Sequence, residues 1–300
     1  MLEVLDSFIN LAPVTFAQSL LYGFVVLCVM IPFRLLHFPD LTCEGTFPLG
    51  GCLFAALMVA GVHPALALTA AVAGGIAAGC LTAYFHLKFR INTLLSGILM
   101  ITMLWSINLR IMGRSNIPLF TERTVFDSLS ANFTGDVGVQ IATWVTIAAA
   151  TVALMVWFLR TDLGLAVRAT GANGIMSRAQ GINTWVITLL GVGIANGFSA
   201  FAGAAVAQVQ GYADVAMGFG ILINALASLI IGEAIVGRAG VIRQVLAPFV
   251  GSIVYYQVIS LGLAIGVHPS DLKLVTGLFV LSMLAIQRRE SGAVREAVNA

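Results

Sequence analysis

The run Val139-Gln-Ile-Ala-Thr-Trp-Val-Thr-Ile-Ala-Ala-Ala-Thr-Val-Ala-Leu-Met-Val-Trp-Phe-Leu159 lies between Asp136 and Arg160 without a charged residue. A helix needs about 20 mainly apolar residues to cross the hydrocarbon core of a bilayer, and this run supplies them. The rest of the chain has the same character. Of its 300 residues 59% are hydrophobic and 9% charged, and the mean hydropathy is +1.00. A soluble domain carries about 25% charged residues because it needs a wet surface, so the composition describes an integral membrane protein. Lys and Arg number 15 against 13 Asp and Glu, which leaves no basic face for nucleic acid.

Cutting the sequence at charges, Pro and Gly gives nine runs of this kind: 14–36, 44–61, 65–85, 92–112, 139–159, 184–207, 217–236, 244–265 and 272–287. The expected fold is therefore all-α, a polytopic bundle of about nine transmembrane helices in one transmembrane domain, 1–300. The second run starts in Phe38-Pro-Asp-Leu-Thr-Cys-Glu-Gly-Thr-Phe-Pro48, whose prolines and carboxylates make part of it non-helical. The first thirteen residues hold Glu3 and Asp6 but no Lys or Arg, unlike a signal peptide, so the first run is expected to stay as a span. With nine spans and the N-terminus outside, the inner segments carry Arg34, Lys88, Arg90, Arg160, Arg168, Arg178, Arg238, Arg243, Arg288, Arg289 and Arg295. The outer ones carry Arg110, Arg114, Arg123 and Lys273. That asymmetry follows the positive-inside rule and puts the C-terminus inside.

Two connecting segments are long. The outer loop 113–138 carries Arg114, Glu122, Arg123, Asp127 and Asp136, which suits either a soluble partner or plain solvation. The inner segment 160–183 has helical punctuation: Asp162 and Asn173 as candidate N-caps and Gly181 as a stop. Between the second cap and the stop, Ile175, Met176 and Ala179 share a face, while Ser177, Arg178 and Gln180 point elsewhere. A short helix with an apolar ridge and a basic edge lies on a membrane surface or fits a groove of another protein.

Several chemistries are missing. A P-loop needs Gly-Lys-Ser/Thr, but Lys88 and Lys273 are the only lysines and each follows leucine, so any ATPase is a separate polypeptide. The histidines His37, His63, His86 and His268 stand alone, without a His-Glu-x-x-His pair, and Gly197-Phe-Ser-Ala200 lacks the second glycine of a rhomboid-type serine site. Cys28, Cys43, Cys52 and Cys80 have no CxxC spacing and read as small packing residues.

Polar side chains inside spans are expensive, about 2.5–3.5 kcal/mol for a charge at a helix centre, and normally face partners, water or a solute. Candidates for a solute path are Asp40, Thr42, Glu44, Asn108, Asn196, Gln208, Asn224 and Ser228. For Asn196, Asn224 and Ser228 interhelical hydrogen bonding is the competing reading, and Glu233 is expected to pair with Arg238. Asp40 and Glu44 stand at i, i+4; on one helix they would repel, and a broken helix around Pro39 and Pro48 relieves them. A secondary transporter or channel driven by an ion gradient through these two carboxylates is the alternative function.

At these residues a resemblance appears. Phe38-Pro-Asp-Leu-Thr-x-Glu-Gly-x-Phe-x-Leu-Gly50, Leu94-Leu-Ser-Gly-Ile98 with Ser106-Ile-Asn-Leu-Arg-Ile-Met-Gly-Arg-x-Asn-Ile-Pro-Leu119, and Arg168-Ala-x-Gly171-x-Asn173 followed by Gly181-Ile-Asn183 are similar to permease subunits of bacterial ATP-binding cassette importers. So are Gln208-x-Gln-Gly-x-x-Asp-x-x-Met-Gly218 and Leu226-Ala-Ser-x-Ile-Ile-Gly-Glu233. The group is the branched-chain amino acid and ribose permease superfamily, and within it the subfamily working with tryptophan/tyrosine-type binding proteins. The resemblance implies an inner-membrane permease dimer, surrounded by lipid, importing a small, amino acid-like solute. It also implies two ATPase subunits, which hold the ATP and Mg so that this chain has no cofactor, and an extracytoplasmic solute-binding protein. It makes 160–183 the coupling segment, with Arg168, Gly171, Asn173, Ile175, Met176, Arg178 and Gly181 facing the ATPase. Many relatives carry Pro-Glu after the asparagine and alanine three positions later, where this chain has Gly174, Ile175 and Ser177.

Overall fold

The computed structural model describes residues 2–120, 125–126, 136–268, 271, 274 and 276–278, with side chains from Phe8 onward. In chain order the helices are α1 (Leu2–Met30, prolonged by a π-turn, Ile31–Leu35), α2 (Cys43–Val59), α3 (Pro64–Phe89), α4 (Thr93–Met112) and α5 (Val137–Arg160). Then follow α6 (Asp162–Ala172), α7 (Gly174–Ala179), α8 (Thr184–Gln210), α9 (Ile221–Val236) and α10 (Val241–Ala264). A two-stranded antiparallel ribbon, β1 (Asn116–Pro118) and β2 (Tyr212–Asp214), joins the ends of α4 and α8, with Ile117 opposite Ala213. Among the described residues seven helical segments are long and apolar enough to cross a membrane, and α2, at 17 residues, is a shorter apolar helix. The protein is thus an all-helical, multi-pass membrane protein with one small ribbon. Most of the ninth run, 272–287, and much of the outer loop 113–138 lie outside the described residues.

Side chains set the helix ends. Asn92, Asp136 and Asn183 each accept backbone N–H groups of the following turn, starting α4, α5 and α8. Gly113 and Gly211, with φ of 67° and 76°, close α4 and α8 in the left-handed conformation that glycine adopts without penalty.

Small residues set the packing, since helices in lipid associate by close backbone approach. Gly203 of α8 lies on the Phe47 carbonyl of α2, and Gly50 of α2 lies on Ala200 of α8; a Cβ at either would collide with backbone. Gly232 and Gly251 make the same reciprocal contact between α9 and α10. α1 is the central post, 72% buried in its most apolar window, whereas α5 is 17% buried and α4 28%. Phe24 of α1 meets Phe201 and Phe249 edge-on at 5.0 and 5.3 Å.

Candidate solute path and coupling face

Pro39 and the neighbouring polar residues prevent α1 from turning directly into α2. Residues 36–41 are non-helical, and α2 begins beside Ser199, more than halfway along α8, where the Ser199 hydroxyl donates to the Cys43 carbonyl at 3.1 Å. The irregular segment is wedged by glycines: Leu35 and Leu36 lie against Gly171 of α6, Leu36 against Gly191 of α8, and Leu41 against Gly97 of α4. It therefore runs from the α6 end of the bundle to its middle.

There it brings Asp40, Thr42 and Asn196 together. The Asn196 amide donates to Asp40 Oδ2 at 2.7 Å, and Thr42 N–H donates to Asp40 Oδ1 at 2.9 Å. Thr46 donates its hydroxyl to Asn196 Oδ1 at 2.8 Å, and the Thr42 and Thr82 hydroxyls are 2.9 Å apart. All of these side chains are buried. Asp40 and Glu44 do not share a helix: the first precedes α2 and turns to α8, the second lies in the first turn of α2 and turns to α9. Their repulsion is relieved by separate partners.

Glu44 meets a second interruption. After β2 the chain makes a short 3-10 turn, Val215–Gly218, and Gly220 (φ 81°) starts α9 with its N–H donating to Glu44 Oε1 at 2.7 Å. Pro48 has no N–H to return to the carbonyl of Glu44 four residues back, and Gly218 packs on that carbonyl and on the Pro48 ring. Two shortened helices, α2 and α9, thus meet through Glu44. Glu44, Gly45, Pro48, Ile101, Trp105, Asn108, Val215, Gly218 and Phe219 line a narrow recess of about 20 Å³. Trp105 and Phe219 stack over it with ring centroids 5.1 Å apart. Asn108 is 1% exposed.

The other path candidates stand elsewhere. Gln208 bridges the Ala204 carbonyl and the Val125 N–H near the ribbon. Asn224 accepts from the Tyr255 hydroxyl at 2.9 Å, and Ser228, fully buried one turn on, lines a small gap with Tyr22 and Tyr256. Thr46, Thr82, Ser96 and Ser199 join the buried polar set without having stood out in the sequence, because single hydroxyls are common in spans; Thr46 lies one turn from Thr42, which is a usable signal.

The 160–183 segment forms two capped helices. Thr161, not Asp162, caps α6, its hydroxyl accepting from Gly164 N–H at 3.4 Å while Asp162 occupies the first helical position. Gly164 packs on the Phe158 carbonyl and Leu159, which closes the corner with α5. Asn173 Oδ1 accepts from the N–H groups of Ile175 and Met176 at 3.1 and 3.0 Å, and Gly181 (φ 83°) ends α7. Ser177 is buried, while Ile175 and Met176 are 76% and 61% exposed. Arg178 is exposed and reaches the Thr184 hydroxyl at 3.5 Å; Arg168 is half-buried with Nε enclosed. Nearby, Glu233 binds both Arg34, at the end of α1, and Arg238, at 2.6 and 2.8 Å. Among the described residues no group of three or more His, Cys, Asp or Glu is placed to hold a metal ion.

A multi-pass bundle with two interrupted helices meeting in its interior and an ordered pair of amphipathic helices at one end is the architecture of a membrane permease. The chain belongs to the family of branched-chain amino acid transport system permease components, matched over residues 14–286. It is similar to a tyrosine transport system permease protein of Clostridioides difficile, 37% identical over 268 residues, 89% of this chain and 88% of that protein. It is also similar to an uncharacterised protein of Rickettsia prowazekii, 32% identical over 285 residues, 94% of this chain and 99% of the relative. A galactose/methyl galactoside import permease protein of Haemophilus influenzae matches at 32% over 178 residues, 58% of this chain and 51% of that protein. No solved structure matches the chain significantly. The protein is a multi-pass transport permease of the inner membrane, as the resemblance implied.

Proposed function

We propose that this chain is the membrane-spanning subunit of an ATP-binding cassette importer for a small, amino acid-like solute. A copy of itself completes the permease, separate ATPase subunits supply the energy, and an extracytoplasmic binding protein delivers the solute. In this reading the whole chain, 1–300, is one permease domain with nine spans, an outer N-terminus and an inner C-terminus, which the Lys and Arg distribution supports. The lightly buried faces of α4 and α5 have room for lipid and for the second copy.

The observation that carries the proposal is the docking geometry of α7. An isolated six-residue helix is unstable in water, yet here one asparagine caps it, a left-handed glycine stops it, and two large apolar side chains stand out from it. Such a rigid apolar pair fits a groove on another protein. From α6, contact passes through Gly171 to Leu35 and along residues 36–42 to Asp40 and Glu44, so movement of the docked helices reaches the centre of the bundle. The amino acid class rests on the family description and on the tyrosine permease relative.

The experiment is uptake of labelled amino acids by membrane vesicles under two separate conditions, ATP with collapsed ion gradients and an imposed proton or sodium gradient without ATP. Uptake with ATP alone supports the importer. Uptake driven by the gradient alone replaces it with the secondary-transporter alternative.

A further inference from the structure

The recess between α2, α4 and the Val215–Gly220 turn holds two polar groups with unused capacity. Glu44 Oε1 takes the Gly220 N–H, but Oε2 has no partner among the described residues, and Arg34 and Arg238 pair with Glu233 rather than with it. Asn108 is nine-tenths buried and more, and neither Oδ1 nor Nδ2 makes a hydrogen bond. Buried polar groups are normally satisfied, and one left open in an otherwise well-bonded interior calls for an occupant. The first turns of α2 and α9 stabilise negative charge at Glu44 but provide no counter-ion for it.

The missing partner must donate hydrogen bonds, carry positive charge and tolerate an aromatic wall. An anion is repelled by the carboxylate. An inorganic cation needs more oxygen ligands than one carboxylate and one amide supply. A primary ammonium meets all three conditions, because it donates to Glu44 Oε2 and Asn108 Oδ1 and gains from the faces of the stacked Trp105 and Phe219 rings. At about 20 Å³ the recess is far smaller than a whole-ligand pocket and takes one group about the size of a water molecule, as an ammonium is.

We propose that Glu44, Asn108, Trp105 and Phe219 form a subsite for the ammonium group of the transported solute, with Glu44 as counter-ion and Asn108 as the orienting acceptor. This deepens the amino acid reading above and rests on it. Phe219 and Gly220 belong to the turn that starts α9, so occupancy ties α4 to the joint between the two interrupted helices.

The test uses the purified full chain in lipid nanodiscs, without ATPase or binding protein, and equilibrium dialysis with three probes: L-phenylalanine, phenethylamine and 3-phenylpropionate. The two ammonium-bearing probes are expected to bind saturably and 3-phenylpropionate about tenfold or more weakly. Glu44→Gln keeps an acceptor for Gly220 N–H and so keeps the fold, yet should lower ammonium binding about tenfold or more, with Asn108→Leu acting in the same direction. Equal binding of all three probes, unchanged affinity in Glu44→Gln, displacement by sodium ions as effectively as by phenethylamine, or no saturable binding to the wild type would each overturn the subsite. Gradient-driven uptake with ammonium selectivity intact would instead remove the importer reading and leave the subsite standing.

Discussion

Asp40 and Asn196, 156 positions apart in the chain, are joined by a 2.7 Å hydrogen bond in the interior, and neither is more than 2% exposed. The bond fixes the non-helical segment before α2 to the middle of α8. Asn196 also donates to its own Val192 carbonyl and accepts from Thr46, so its amide is fully used. Replacing Asn196 by leucine leaves Asp40 Oδ2 without a donor in an apolar surrounding, which costs about 1–3 kcal/mol. The expected outcome is a lower melting temperature in detergent for Asn196→Leu. Asp40→Asn, which removes the charge, should recover part of the loss in the double variant; independent, additive losses would contradict the pairing.

Gly171 carries the contact between α6 and the end of α1, because a Cβ there would run into the Leu35 carbonyl and Leu36. Gly171→Val must displace α6 from α1 while leaving the exposed pair Ile175 and Met176 untouched. ATPase binding should persist while solute uptake falls by about an order of magnitude or more, as for a misplacement far from the chemistry. Wild-type uptake in this variant would remove residues 35–42 from the coupling route.

Asn173 caps α7 with two hydrogen bonds, and removing such a cap costs about 0.5–2 kcal/mol. Asn173→Ala should fray α7 and weaken association with the ATPase, whereas Asn173→Asp should retain it. Affinity measured by surface binding of the purified partners separates the two variants; equal weakening by both would show that the side chain touches the partner directly.

Glu233 holds two arginines of unequal exposure, Arg34 at 40% and Arg238 at 55% of the side chain. Exposed pairs contribute about 0–1 kcal/mol, so Arg238→Ala should change stability little. Glu233→Ala leaves both guanidinium groups facing each other and should destabilise more than either arginine substitution. Thermal unfolding of the three variants checks the order, and salt should reduce the differences.

Much of this architecture is legible in the sequence because bilayer spans are long and apolar by necessity. The runs 92–112 and 139–159 coincide with α4 and α5 to within two residues. The broken start of the second span is readable from Pro39 and the carboxylates beside it, and the α7 cap from Asn173. The cap of α6 is misassigned by one position since Thr161 and Asp162 are both good caps, and the hydroxyl of Thr161 is the one that reaches Gly164. What the sequence does not carry is pairing across the chain. Glu44 with Gly220, and Trp105 with Phe219, are brought together by the two interrupted helices, and no local pattern at positions 219–220 announces the contact. Likewise Glu233 has a visible neighbour in Arg238, while Arg34 arrives from the first span.

The most direct measurement is purification of the tagged full chain from its native membrane in mild detergent, with quantitative mass spectrometry, for the wild type and for Ile175→Asp/Met176→Asp. The importer account predicts a P-loop ATPase in stoichiometric amount with the wild type and its loss with the double variant, while the permease itself stays folded and monodisperse. A wild-type permease recovered without an ATPase, under conditions that keep a known importer complex together, or an ATPase retained equally by the variant, would contradict it.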